Sequence, residues 1–439
     1  MGTSEKPEAR IRLFRKRDGR ICFEKKRKNV MNDCGISKLD LKRRNRMQIL
    51  RVVREQGPIS RVDISTVLQI TRAAVTIITN EMISQHILEE IGEEPVEPGA
   101  AVKKGRRKIL LDINATYRFA LGVYVDEKEI SVGLTTLNLE TMDKKVILHG
   151  GNLTAEYAAG IIASTAKTML QNSCLTSENL IGIGIGVMPA VWQQLGGETN
   201  EDGVLQFPLF QRLLTDRCNT TIYLGSAVTQ FAMAGVQYQV RNRIISSRQL
   251  FLHWGDDHFY AIPMQGAEPL HDICSSRYYV ENMIVVPDGR EAEGYPRGSV
   301  RAELSLRAIQ KDVSAVFSEA QTPALYQLTD GDLTQVTLAS LLTASEEDVA
   351  LIPVTEQIMA KFSLLLNNLR CAYFSDSVCL HGFGFTQRNL EQVQTYLREY
   401  TEDTFADTVS LSPIQERYRF LCGCIYAVQE GFFRRGGLS

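Results

Sequence analysis

The chain lacks any Cys-x-x-Cys pair, and its nine cysteines (22, 34, 174, 218, 274, 371, 379, 422 and 424) are scattered through 439 residues. That spacing argues against a zinc ribbon or a disulfide framework and favours a reduced, cytoplasmic setting. The start has no apolar signal core, so secretion is not expected. No apolar run in the sequence approaches the roughly 20 residues needed to cross a bilayer, so membrane insertion is not expected either.

Charge is short of one sign in each part of the chain. The first 110 residues hold 25 Lys+Arg against 14 Asp+Glu, whereas the remaining 329 hold 24 against 37. The near-neutral total of −2 therefore combines a basic head suited to phosphate with an acidic body repelled by it. Such a length suits a small head and a body of one or two larger lobes. Residues 1–38, with Arg15-Lys16-Arg17 and Lys25-Lys26-Arg27-Lys28, lack periodicity and read as a basic, disordered tail, or as an upstream extension preceding a start at Met31.

Residues 39–114 read as a winged helix-turn-helix. Met47, Ile49, Leu50 and Val53 give a first helix its apolar side, and Gly57-Pro58 ends it. Ser60, with Asp63 three residues on, caps a second helix whose Ile64, Val67 and Leu68 are expected to face the core, and Gln69-Ile70 makes the turn. Thr71 caps a third helix that points Val75, Ile78 and Met82 inward and Arg72, Ala73, Thr76, Ile77 and Asn80 outward. Those outward residues are the candidate base readers. An arginine suits guanine, an asparagine adenine, and an isoleucine the thymine methyl group of a double-stranded operator. The alternative is a three-helix packing unit without DNA. Residues 88–113 read as two strands around a tip, a wing whose Lys103, Lys104, Arg106 and Arg107 are the candidate phosphate contacts.

From residue 115 apolar strands (118–125, 130–137, 181–187, 220–224, 249–254 and 378–380) alternate with helical stretches (155–171, 226–240 and 355–372), which predicts α/β lobes over 115–235 and 236–439. Ser412, Pro413 and Gln415 predict the start of a last helix that packs back on the body. Gly182-x-Gly184-x-Gly186 does not fit a dinucleotide fingerprint, because Pro189 follows too closely; alternating glycines predict a strand that a neighbouring backbone approaches.

The winged head, the Gly105-Arg106 step, the strand Gly182–Val187 and Ala267-Glu268-Pro269-Leu270-His271 together resemble the ROK family of repressors and sugar kinases, nearest the N-acetylglucosamine and xylose repressor branch, over residues 40–435. The resemblance implies a two-lobed, actin-like (ribonuclease H-like) body with a sugar cleft. It also implies a zinc segment after Pro287-Asp288-Gly289, where the thiolate positions here hold Ala292, Gly294 and Ser299, so no metal is expected. The segment matching the kinases' catalytic aspartate reads Gly225-Ser226-Ala227-Val228-Thr229 and holds no carboxylate, and the loop at Tyr124-Val125-Asp126-Glu127 is acidic where phosphate would sit. The expectation is a non-enzymatic regulator without cofactor, a homodimer or dimer of dimers, with Ser226, Glu268, His271 and Arg301 as candidate contacts for a carbohydrate or derivative. A sugar kinase carrying a DNA-binding head and a ligand-independent architectural regulator are the alternatives.

Overall fold

The computed structural model describes residues 38–94, 107–199, 205–241, 248–255, 258–266, 268–270, 280–382, 386–401 and 403–438. The basic segment before Lys38, Lys103, Lys104, Arg106 and His271 lie outside the described residues. Two compact units are distinguished, Met1–Lys42 and Arg43–Ser439.

The head comprises α1 (Lys38–Gln56), α2 (Arg61–Leu68) and α3 (Arg72–Ser84) with a three-stranded antiparallel sheet. Its strands are β1 (Ile59–Ser60), β2 (Leu88–Glu93) and β3 (Ile109–Ile113), in the order β1-β3-β2. Local chemistry starts each helix where the sequence predicts. The Ser60 hydroxyl accepts from Asp63 N at 3.3 Å and donates to its carboxylate at 2.6 Å, while the Thr71 hydroxyl accepts from Ala74 N. Gln69 takes the left-handed conformation that ends α2. Ile49, Leu50, Val53, Ile64, Val75, Ile78 and Met82 are buried as expected. Val67 is not: it is 46% exposed, because in an eight-residue helix Ile64 and Leu68 stack one turn apart and Val67 falls beside that face.

The body is built on two five-stranded sheets with the same plan. The first contains β4 (Phe119–Val125), β5 (Glu129–Thr136), β6 (Thr141–Leu148), β7 (Leu180–Val187) and β10 (Ile222–Ser226), ordered β10-β7-β4-β5-β6. The second contains β11 (Arg248–Trp254), β12 (Phe259–Gln265), β13 (Glu268–Pro269), β14 (Ser377–His381) and β15 (Val409–Leu411), ordered β13-β12-β11-β14-β15. Each sheet carries an antiparallel meander of three strands followed by two parallel ones. A small hairpin of β8 (Glu198–Thr199) and β9 (Leu205–Gln206) comes between β7 and β10 in the chain. Helices α4 (Ala155–Asn172) and α5 (Pro208–Cys218) cover one face of the first sheet, and α6 (Ala227–Arg241) follows β10.

Helices α7 (Val300–Leu304), α8 (Leu306–Val313) and α9 (Ile352–Tyr373) come between β13 and β14, α10 (Gln387–Tyr400) between β14 and β15, and α11 (Leu421–Gly431) after β15. With the residues just before it, α9 is long and apolar enough by composition to cross a membrane, although Glu356, Lys361 and Arg370 interrupt its apolar run. Its Ile358, Met359, Phe362, Leu365, Leu366 and Leu369 are buried in the core of the second sheet.

The terminal helix starts later than predicted. Ser412 N donates to Leu380 O, so Ser412 prolongs the β14–β15 pairing, and the Gln415 side chain accepts from Arg417 instead of capping a helix. From Leu421 onward α11 lies against β4 and β7 so closely that a side chain at Gly184 would collide with the Gly423 backbone, and one at Gly122 with the Phe420 carbonyl. Among the alternating glycines of β7, Gly184 thus admits the backbone of α11, while Gly182 makes room for Tyr223. The other face of α11 enters the core of the head, where Phe420, Cys424, Val428, Phe432 and Phe433 join Leu50, Val53 and Met82 in one cluster.

Candidate nucleic-acid interface and body cleft

Helix α3 is held by its buried stripe and leaves Arg72, Ala73, Thr76, Ile77 and Asn80 exposed, with Thr71 exposed at its cap. Ile77 is 67% exposed. Arg61 ties this helix to its neighbours, donating to Thr79 at 3.1 Å, Asn80 at 3.1 Å and Glu90 at 2.7 Å. The Asn80 amide oxygen thus accepts from Arg61, which leaves its NH2 group as the donor. Beside the strand pair β2–β3, Arg107 is 59% exposed and 3.4 Å from Glu93. Lys108 lies across from Asp63 at 2.9 Å. That bond raises the Lys108 pKa; in Asp63, burial pushes the carboxyl up, but the hydrogen bonds from Ser60 and Lys108 outweigh it and lower its pKa.

Arginines that the sequence reading passed over lock the head to the end of the chain. Arg46 is 1% exposed and donates to Gly436 O at 2.8 Å, Gln85 at 2.8 Å and Glu81 at 3.4 Å. Arg54 donates to Gln429 at 3.1 Å and stacks over Phe433, 3.9 Å from the ring centre. No local signal marks them, because their C-terminal partners are more than 370 residues away.

In the body, the acidic loop after β4 is neutralised from within. Arg419 reaches Asp126 at 3.1 Å and Glu129 at 3.3 Å, while Asp126 also accepts from Tyr124 and from the Lys128 and Glu129 amides. The expected repulsion of an anion by Asp126 is therefore weakened. Beside it, His253 and His381 sit opposite each other on β11 and β14 with their Nδ1 atoms 2.6 Å apart, so one of the two must donate. Burial, with repulsion from His258 and Arg419, pushes His253 down to about 3; burial, then His253 and Arg419, lowers His381 well below its ordinary value. Both imidazoles are neutral at physiological pH.

The candidate ligand residues lie on different elements. Ser226 ends β10 with its hydroxyl buried and without a hydrogen-bond partner among the described residues. Glu268, on β13, is exposed and paired with Arg434 at 2.5 Å. Arg301, on α7, lines a hollow with Arg290, Tyr295, Arg307 and Lys311, and its guanidinium lies 5.7 Å from the Tyr295 ring centre. Among the described residues no hydrogen bond or ion pair joins Ser226, Glu268 and Arg301. Glu281, buried and bonded by Tyr295 at 2.9 Å and by the Phe259 amide, was not singled out from the sequence.

No protein-family model matches the chain. A protein of Caldicellulosiruptor sp. (strain Rt8B.4), named provisionally as a xylose repressor, is 24% identical over 201 residues, which is 44% of this chain and 47% of that protein. The match thus spans about half the length of that relative. Among solved structures, a ROK family transcriptional regulator, described as a homolog of the E. coli MLC protein, aligns with a TM-score of 0.67 at 15% identity. It covers 90% of this chain and 97% of its own. The chain has the ROK fold. A ROK hexokinase from Thermus thermophilus aligns at TM-score 0.53 and 16% identity over 71% of this chain and 99% of the other; a ROK glucokinase from Streptomyces griseus, solved with glucose and AMPPNP, aligns at 0.51 and 13% over 71% and 98%.

Within the ROK fold the segment after Pro287 does not fit a zinc ion. Ala292 and Gly294 offer no ligand atom, and the Ser299 hydroxyl is buried as the cap of α7, accepting from Ala302 N. Among the described residues no group of three His, Cys, Asp or Glu could hold a metal. A buried charge cluster organises the segment instead. Arg290 grips Glu303 at 3.0 Å and Asp312 at 2.7 Å, and Lys361 of α9 reaches Glu303 at 2.7 Å. Burial raises the Glu303 carboxyl's pKa, but the bonds from Lys361 and Arg290 outweigh it and hold it below the usual range.

Proposed function

We propose that this chain is a transcriptional regulator of the repressor type, which binds double-stranded operator DNA through a winged helix-turn-helix head (39–114) carried on a ROK body (115–235 and 236–439) without kinase activity. The solvent face of α3 carries this reading: an isoleucine 67% exposed, flanked by Arg72, Thr76 and Asn80, is unfavourable in water and useful against base edges. Thr71 and Ala73 complete the helix contacts, and Arg107, with Lys103, Lys104 and Arg106, supplies the phosphate contacts. The likeness to a ROK regulator and to a protein named as a xylose repressor supports the assignment. A twofold dimer in the cytoplasm would present two heads to half-sites in successive major grooves.

The absence of a carboxylate from Gly225 to Thr229 supports a body that does not phosphorylate sugars. The proposed effector is a small carbohydrate or derivative, contacted by Ser226, Glu268, His271 and Arg301. The buried, unsatisfied Ser226 hydroxyl supports this, whereas Glu268 must first leave Arg434. The test is selection of binding sites from random duplex DNA by the full chain, followed by fluorescence anisotropy on the enriched site. Site-selective binding with no ATP turnover across a panel of hexoses is expected. Recovery of no preferred sequence would remove the DNA reading, and hexose phosphorylation would remove the non-catalytic one.

A further inference from the structure

The end of α1, the wing strand β3, the turn between β5 and β6 and the C-terminal segment enclose a cavity of about 330 Å³. Val53, Leu137, Leu139, Ile414, Ile425 and Val428 make its walls largely apolar. That volume has room for about ten waters, or a ligand of about ten non-hydrogen atoms, and falls in the range of small-molecule sites.

The charges at the rim select among ligands. The Arg54 guanidinium lies over the Phe433 ring and bonds Gln429, and Glu55 is matched by Arg51 at 2.7 Å. Asp112 differs from both. Its Oδ1 accepts from the adjacent Ile113 amide at 2.7 Å, and no cation pairs with its carboxylate among the described residues. An anion entering here would meet that negative charge, whereas an ammonium group would answer it and leave an apolar tail for the walls.

The geometry points to a binding site for a small apolar amine, its hydrocarbon part between α1 and α11 and its ammonium at Asp112. The site is separate from Ser226, Glu268 and Arg301 and does not depend on the DNA-binding reading. Because its walls come from both the head and α11, a bound ligand adds contacts that exist only while the two are packed together, so occupancy should increase protection of the α1 amides.

Isothermal titration of the full chain with phenethylamine, 2-phenylethanol and 3-phenylpropionate tests the site without DNA. The amine should bind at least about tenfold more tightly than the carboxylate, the equivalent of ~1.4 kcal/mol. Asp112→Asn, which keeps the oxygen bonded to Ile113 N, should bring the amine to the affinity of the alcohol and leave the alcohol unchanged. Ile414→Trp, which fills the cavity, should remove binding of both; hydrogen exchange of Val52–Gln56 should slow with amine in the parent protein only. No heat from the amine at millimolar concentration, an amine no tighter than the carboxylate, unchanged selectivity in Asp112→Asn, or undiminished binding to a folded Ile414→Trp protein would each overturn the proposal.

Discussion

Arg72 and Arg107 are both exposed arginines of the head, and their positions assign them different work. Arg72 begins the helix proposed to enter the groove, so Arg72→Ala should cost about 1–3 kcal/mol at one base position and relax preference there. Arg107 lies two residues before β3, in the proposed wing, so Arg107→Ala should weaken all sequences alike and reduce the slope of log affinity against log salt by roughly one. Anisotropy across a panel of single-base variants and salt concentrations measures both, and equal losses would leave the two roles undivided. The histidine pair gives a residue-scale prediction for stability. His253 and His381 are held neutral by burial, so below pH ~6.5 the unfolded chain binds protons that the folded chain refuses. His253 should subtract up to ~1.4 kcal/mol of stability per pH unit as pH falls from ~6.5 towards about 3, His381 should act in the same direction, and the loss should fade as pH rises past ~6.5. Urea titrations at several pH values should show a shallower acid limb in the double variant His253→Phe, His381→Phe. Little of this chemistry was legible in advance. Arg419 meets Asp126 across 293 positions, and His253 meets His381 across 128, so only the folded topology brings these partners together.

At the scale of elements, legibility followed the range of the interactions. Ser60 and Thr71 cap through partners three residues on, and the apolar spacing of α1 and α3 is likewise local, so the helices of the head could be read from the chain. Ser412 shows the same local pattern and caps no helix, because the pairing of its amide with Leu380 settles the segment as the end of a strand. The two-residue strands β1 and β13 offer no period to detect. The glycines of β7 could be read as a site of close approach, though not which element approaches. Gly184→Ala provides the test. The methyl group would run into the Gly423 backbone, where nothing flexible can yield, so a loss of more than about 3 kcal/mol is expected, whereas Gly150→Ala, with open space around it, should change stability by less than about 1 kcal/mol. Comparable melting temperatures for the two variants would contradict the close packing of α11 on β4 and β7.

Across the whole molecule, the two sheets share one strand order, a topology that requires only that buried positions stay apolar. Helix α11 belongs to the first sheet on one side and to the head on the other. Phe433→Ala should therefore cost about 3–5 kcal/mol and loosen α1 and α11 together. Hydrogen exchange that loosened only the C-terminal residues would show that the head is stable without them. The arrangement also orders events during synthesis. The head leaves the ribosome before Phe432, Phe433 and the Gly436 carbonyl that completes the Arg46 site, which follow it by more than 300 residues. A nascent polypeptide that has not yet reached Phe432 thus exposes an unfinished head core to chaperones and proteases.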